Sequence, residues 1–443
     1  MTNRIGRRKF LTYGAAAAGG SLLLKSCAAP NSSETSSEAE TEAAPSAEEA
    51  DSDEPIRVGL LHSLSGTMAF SETAVVDAEK MAIAEINQAG GVLGQQIVAI
   101  LEDGASDWPT FAEKVERLID EDKVAAVFGG WTTASRKAML PIVESKQHLL
   151  WYPVQFEGQE CSQNIFYAGA APNQQIEPAV DWLFVNKGQQ FFLVTSDDMF
   201  PQSADFITVN TLVREQLEAK GGEAVGETSL PLGSAEVAPI ISQIKTALPE
   251  GGVIFNSLQG DSNVAFFKQL KGAGLGPDQY PVMSVSIAEE EVRVIGTEFL
   301  KGHYAAWNYF QTVETPENEK FVSAFKGRYG EGRFTNDPME SAYTMIYLWK
   351  QAVEQAGTTD IAAVRAAAYG QTFAAPEGNV TMNPNHHLSK TARIGQVRDD
   401  GLFDIVWSTD APVEPQPWSK YVPENKGFAC DWSDPEKGRR FKA

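Results

Sequence analysis

Histidine and cysteine are scarce in this chain of 443 residues, five of the first and three of the second. A closed zinc site draws on both types, and none stand at the spacing its ligands need, so no metal is expected. His386 and His387 are adjacent, cannot easily share one ion, and read as a surface turn. No nucleophile pattern stands out either. Ser63–Gly66 is a loop and lacks the Gly-x-Ser-x-Gly of a nucleophile elbow. An amidohydrolase would need a nucleophile with its base, or a metal-bound water, and neither is legible here. GxGxxG and Walker motifs are absent, which removes the usual signatures of a nucleotide cofactor; no cofactor is expected. Cations are in deficit, 36 Lys and Arg against 59 Asp and Glu, a net charge of −23. Phosphate binding needs clustered cations, so this balance argues against a nucleic-acid partner.

What is present begins with a leader. Residues 1–26 carry Arg4, Arg7, Arg8, Lys9 and Lys25 and no acid, followed from Leu11 by a mild apolar run too short and too small-residue-rich to remain a membrane span. The Arg7–Arg8 pair before Lys9, Phe10 and Leu11 resembles a twin-arginine export signal, and LLLKSC resembles a lipoprotein box with Cys27 as the lipidated residue. Residues 31–54 hold nine acids, no base and mostly Ser, Ala, Thr and Pro besides, a composition that cannot order itself. Such a tether spans ~25–30 Å as a random coil. The expected location is therefore periplasmic, with a lipid anchor to the membrane. Residues 55–443 keep 31 bases against 50 acids, so the acidity belongs to the folded body. After Cys27 only Cys161 and Cys430 remain; an exported chain permits them one disulfide, and the spacing leaves the pairing open.

Strand and helix patterns then alternate in two series of about three units each, which predicts an α/β protein of two Rossmann-like lobes with parallel-rich sheets. The expected division is 1–26 signal, 27–54 lipidated Cys27 and linker, 55–172 with 306–382 as the first lobe, 173–305 with 383–410 as the second, and 411–443 as an irregular tail. Residues 302–311 (GHYAAWNYFQ) read as a strand returning to the first lobe. The central stretch is 124–160, where a buried strand (VAAVFG) leads through Trp131, Thr132, Thr133 and Ser135 into a helix, and Tyr152 leaves the next strand at the same edge. Loops leaving the carboxyl ends of parallel strands hold small ligands.

These residues resemble a known family. GWTTASRK (130–137), WYPVQFEGQECSQN (151–164), GAAPNQQ (169–175), QGDSNVAFF (259–267), MSVSIAEEEV (283–292), DPMESAY (337–343) and PNHHLSKT (384–391) are similar to segments of the substrate-binding subunit of bacterial urea ABC transporters. Those subunits are type I periplasmic binding proteins, near amide- and branched-chain amino-acid-binding members. The resemblance implies a three-crossover hinge, a small amide held in the cleft, and a permease and ATPase as partners. Where relatives carry Cys-Trp-Thr-Ser, this chain has Gly130-Trp131-Thr132-Thr133; where they carry Ser-Asp-Tyr-Val-Phe-Pro, Asp198 replaces the Tyr; and Gln259 stands in place of an Asn.

Urea offers one carbonyl and two NH₂ groups in one plane, so its site needs donors at one end, acceptors along two sides and flat faces above and below. Thr133 and the first N–H groups of its helix are the expected donors. Tyr152, Asp198, Gln259 and Ser286 are the expected acceptors, Trp131 and Phe200 the faces, and Thr132 a neighbouring hydroxyl. Glu289–Glu291 read as the first turn of a helix, favoured there by its dipole. At about −1.5 kcal/mol per heavy atom, four atoms bind with roughly −6 kcal/mol, a Kd on the order of tens of micromolar. The competing expectations are a receptor for a short amide or branched-chain amino acid, and an amide sensor not coupled to transport.

Overall fold

The computed structural model describes residues 54–197 and 208–443. Residues 1–53, with Cys27, and residues 198–207, with Asp198 and Phe200, lie outside the described residues. The chain opens with β1 (Ile56–His62), α1 (Ala69–Gln88), β2 (Ile97–Asp103), α2 (Trp108–Asp120), β3 (Val127–Gly129), α3 (Thr133–Ser145), β4 (Leu150–Tyr152) and β5 (Ile165–Tyr167). It continues with α4 (Ile176–Asn186), β6 (Gln190–Asp197), α5 (Val209–Lys220), β7 (Glu223–Pro231), α6 (Ala238–Ala247), β8 (Val253–Ser257), α7 (Ser262–Gly272), β9 (Val282–Ser284), α8 (Glu289–Ile295), α9 (Thr297–Leu300) and β10 (Tyr304–Trp307). Then follow α10 (Pro316–Tyr329), α11 (Asp337–Ala356), α12 (Ile361–Ala368), β11 (Thr372–Ala375), β12 (Gly378–Met382), β13 (Leu388–Ser389), β14 (Arg393–Val397), β15 (Phe403–Ser408), β16 (Phe428–Asp431) and β17 (Gly438–Lys442).

Two sheets organise these elements. The first runs β2-β1-β3-β4-β5, all parallel; the second runs β7-β6-β8-β9-β10 in parallel and adds β14 and β15 antiparallel. Strands such as IRVGLLH are nearly continuous in apolar residues because helices cover both faces of a parallel sheet. In each sheet the second strand of the series lies outside the first, so the order reverses beside β1 and beside β6. At such a reversal neighbouring loops diverge and leave a crevice at the carboxyl ends of the strands.

Residues 304–307 do not return to the first lobe. They pair parallel with β9 and antiparallel with β14, because a strand that follows a crossover helix extends the sheet it left. The return comes just after, through Asn308, and α10 and α11 pack their Phe321, Phe325, Met345 and Trp349 against the first core.

Among the described residues, three connections join the lobes, and buried polar groups lace them together. Asn308 Nδ2 donates to the carbonyls of Gln174 (3.2 Å) and Thr391 (3.0 Å), and the Asp337 carboxylate accepts from Asn308 N (2.9 Å) and Tyr309 N (2.8 Å). Lys390 Nζ donates to Ala168 O (2.9 Å) and Ser341 Oγ (2.7 Å) and pairs with Glu377 (3.1 Å).

His386 and His387 are fully buried, not a surface turn: they stack on Phe166 (4.2 Å between ring centres) and Tyr167 (4.3 Å). Cys161 and Cys430 form a disulfide that ties the C-terminal segment to the loop between β4 and β5. Glu289–Glu291 do open α8, and all three are buried.

Candidate functional site

The carboxyl ends of the strands at the two reversals face a cavity of about 350 Å³. From the first sheet come the β3–α3 loop (Trp131, Thr133) and the loop after β4 (Val154, Gln155, Phe156, Glu157). From the second come the ends of β6 (Ser196, Asp197) and β8 (Ser257, Gln259), with Val285 and Ser286 after β9. Contacts on its flanks hold the lobes together: Gln155 Nε2 donates to Val285 O (2.8 Å), Ser71 Oγ to Glu291 (2.6 Å) and Asp261 N to Thr67 Oγ1 (3.3 Å).

The loop before Trp131 turns sharply. Gly129 has φ +136°, and a Cβ there would lie 2.0 Å from Leu61 O; Gly130 follows at φ +81°. Two glycines are therefore what this turn accepts. Thr132 then caps α3, its hydroxyl accepting from Ser135 N (3.1 Å). That role takes one of the helix-start N–H groups expected for the ligand and turns Thr132 away from this cavity to a second one, of about 240 Å³, beside Trp108 and Leu232.

Trp131 lines the main cavity as expected of an aromatic wall, and Thr133, Gln259 and Ser286 join it there. Their bonding differs in detail. Thr133 Oγ1 donates to Glu157 (2.7 Å), so its proton is not offered to a ligand carbonyl. The Ser286 hydroxyl donates to Leu258 O. Gln259 Oε1 and Gln155 Oε1 are buried and have no hydrogen-bond partner among the described residues.

Tyr152 is not in the wall. It is fully buried on β4, its hydroxyl donates to Trp131 O, and burial pushes its phenol well above the ordinary range. A three-residue strand buried on both faces leaves no side of Tyr152 for solvent; it acts on the site only by holding the Trp131 backbone.

The residue that sequence reasoning missed most plainly is Glu157. Its carboxylate accepts from Thr133 Oγ1 on one oxygen and from Arg136 Nη2 (3.0 Å) on the other. Arg136 is fully buried, with Nε on Glu160 (2.9 Å) and its guanidinium carbon 5.0 Å from the Tyr152 ring centre and 4.9 Å from that of Phe156. Burial alone would raise the Glu160 carboxyl, but the charges of Arg136 and Lys137 outweigh it and hold it at about 2. Glu227, also in the lining, pairs with Arg214 at 2.6 Å. Gln155 and Glu157 follow β4 at the edge where Tyr152 leaves the sheet, and that position was the available signal.

The lining is thus rich in acceptors, contains no Lys or Arg among the described residues, and backs two of its carboxylates with cations from outside. Such a wall suits a small solute that presents several N–H groups. Among the described residues, no group of three or more His, Cys, Asp and Glu could hold a metal ion, and no helix is long and apolar enough to cross a membrane.

A profile described as "Periplasmic binding protein domain" matches residues 56–424. The Leucine-, isoleucine-, valine-, threonine-, and alanine-binding protein of Pseudomonas aeruginosa is 25% identical over 338 residues, 73% of this chain and 85% of that protein. A limonene hydroxylase of Geobacillus stearothermophilus is 39% identical over 123 residues, 28% of this chain, and the match spans only 23% of that protein. A Rhodopseudomonas palustris ABC-transporter solute-binding protein, solved with 4-hydroxybenzoate, superposes with a TM-score of 0.72 at 20% identity, covering 81% of this chain and 98% of that one. With a matching profile over most of its length, the chain belongs to the periplasmic binding protein family, and its two-lobed α/β architecture is the type I fold.

Proposed function

We propose that this receptor binds urea, or a short amide of the same donor pattern, and delivers it to an ABC permease driven by its ATPase subunits. The observation that carries the reading is the pair of buried, unpartnered acceptors, Gln155 Oε1 and Gln259 Oε1, in a wall that also holds Glu157. A buried acceptor without a donor costs about 1–3 kcal/mol, and a planar diamide with four N–H hydrogens removes that cost at several acceptors at once. The Trp131 indole supplies a flat face. Cys27 and the acidic segment after it would tether the receptor beside its permease.

A second reading, a branched-chain amino acid, draws on the size of the cavity. About 350 Å³ is the liquid volume of roughly twelve waters at ~30 Å³ each, more than four heavy atoms fill. Against it stands the α-carboxylate, which would enter a wall containing Glu157, Asp197 and Glu227 and, among the described residues, no Lys or Arg. Calorimetry with urea, formamide, acetamide and leucine separates the two. Heat with urea at a Kd on the order of tens of micromolar is the expected result; heat with leucine and none with urea selects the second reading.

A further inference from the structure

We propose that the C-terminal segment from Val413 to Cys430 is a strap that positions Gln155 and Glu157 in the cavity wall, with the Cys161–Cys430 disulfide as its covalent anchor. This rests on the reading of the cavity as the ligand site.

Between β4 and β5 the chain forms neither helix nor strand, so no backbone ladder holds residues 153–164 in place. Arg136 grips this loop from inside, through Glu157 and Glu160. From outside the strap grips the residues immediately after Glu157. Gln159 N donates to Pro417 O (2.8 Å), Asn425 Nδ2 donates to Gln159 Oε1, and Cys161 is bonded to Cys430. The approach is close enough to require a glycine: Gly158 has φ +77°, and a Cβ there would lie 2.3 Å from Pro417 O.

The other attachments of the strap lie on the hinge and the second lobe. Val413 exchanges backbone hydrogen bonds with Lys390 (2.7 and 3.3 Å) and accepts from Gln174 Nε2 (2.7 Å). Asn173 donates to Glu414 O (2.8 Å) and accepts from Gln416 N (2.8 Å). Ser419 Oγ donates to Glu177 on α4 (2.7 Å). The strap therefore references the wall of the first lobe to two of the lobe connections and to the second lobe. A wall held this way keeps its acceptors in place before the ligand arrives, which lowers the ordering cost of binding.

The test compares the full-length protein with C161S/C430S, reading amide hydrogen exchange across residues 154–160 and calorimetry with urea. The strap predicts exchange about tenfold faster at 154–160, no change at Val127–Gly129, and a urea Kd several-fold weaker. A staple that only stabilises would lower Tm and leave both the local exchange and the Kd in place, and that result overturns the proposal. If the double variant does not fold, Asn425→Ala, which keeps the disulfide, is read the same way: faster exchange at 158–160 supports the strap, and rates within about twofold of the parent overturn it. Accelerated exchange in a protein that gives no heat with urea supports the strap and overturns the urea reading; unchanged exchange in a protein that binds urea does the reverse.

Discussion

Glu157 sits in a wall that water scarcely reaches, with Arg136 directly behind it and Thr133 donating to its second oxygen. Gln259 is in the opposite situation, with a carbonyl buried and unanswered. A group that costs free energy in the empty protein and is satisfied only by ligand leaves a double signature when removed. Gln259→Leu is expected to raise the stability of the unliganded protein by about 1 kcal/mol while weakening urea binding roughly tenfold. Thermal unfolding without ligand and calorimetry with urea check the two halves, and a loss of both would mean that Gln259 serves the fold. Thr132, Thr133 and Ser286 show why short hydroxyl side chains were hard to place from sequence: each is suited to a ligand, and each already bonds within the protein, to Ser135 N, Glu157 and Leu258 O.

At the scale of elements, the strand-helix alternation carried the two-lobed parallel architecture, while the strand order with its two reversals came only from the tertiary structure. The placement of β10 was misread as a return to the first lobe, although the rule that a strand after a crossover helix stays in its sheet made it legible. The histidine pair was not legible: whether His386 and His387 face water or the Phe166 and Tyr167 rings depends on a sheet contact 220 residues away, with Tyr167 N donating to His386 O (2.8 Å). Asn308 is the element-scale counterpart of a catch, touching each of the other two lobe connections. Asn308→Ala leaves the Gln174 and Thr391 carbonyls without that donor, and is expected to cost about 2–4 kcal/mol of stability. Denaturant titration at unchanged m-value checks this; a midpoint within error of the parent would show that the hinge does not depend on it.

For the whole molecule, buried titratable groups make stability depend on pH, three of them with clear signs. Glu160 is held at about 2 against an ordinary 4.5, so its contribution is complete above pH 4.5 and lost as pH falls towards 2. His62 works with the opposite sign. Burial would lower it, but Glu79 and Glu72 outweigh that and raise it from 6.5 to about 10, so its contribution is complete below 6.5 and lost as pH rises through 10. Burial raises Glu289 to about 8, so the folded state holds a proton that the unfolded chain releases, and stability declines as pH climbs from 4.5 towards 8. Burial also lowers His303 to about 4, His386 to about 3 and His387 to about 4, so their contribution is complete above pH 6.5; these histidines and Glu160 shape the acid limb, Glu289 the neutral one and His62 the alkaline one. Denaturation midpoints across pH 2–10 test this division, with Glu160→Gln flattening the acid limb and Glu289→Gln the neutral one.

By itself the sequence determined the acidic body, the two parallel-sheet lobes and the Trp131 loop, because these follow from composition, from hydrophobic period and from glycines at forced turns. Tertiary structure alone decided which polar side chains have spare hydrogen-bonding capacity. Tyr152, Thr132 and Glu157 look alike as candidates along a chain; packing buries the first, caps a helix with the second and turns the third into the cavity, since a polar group is available to a ligand only where the fold has not already satisfied it.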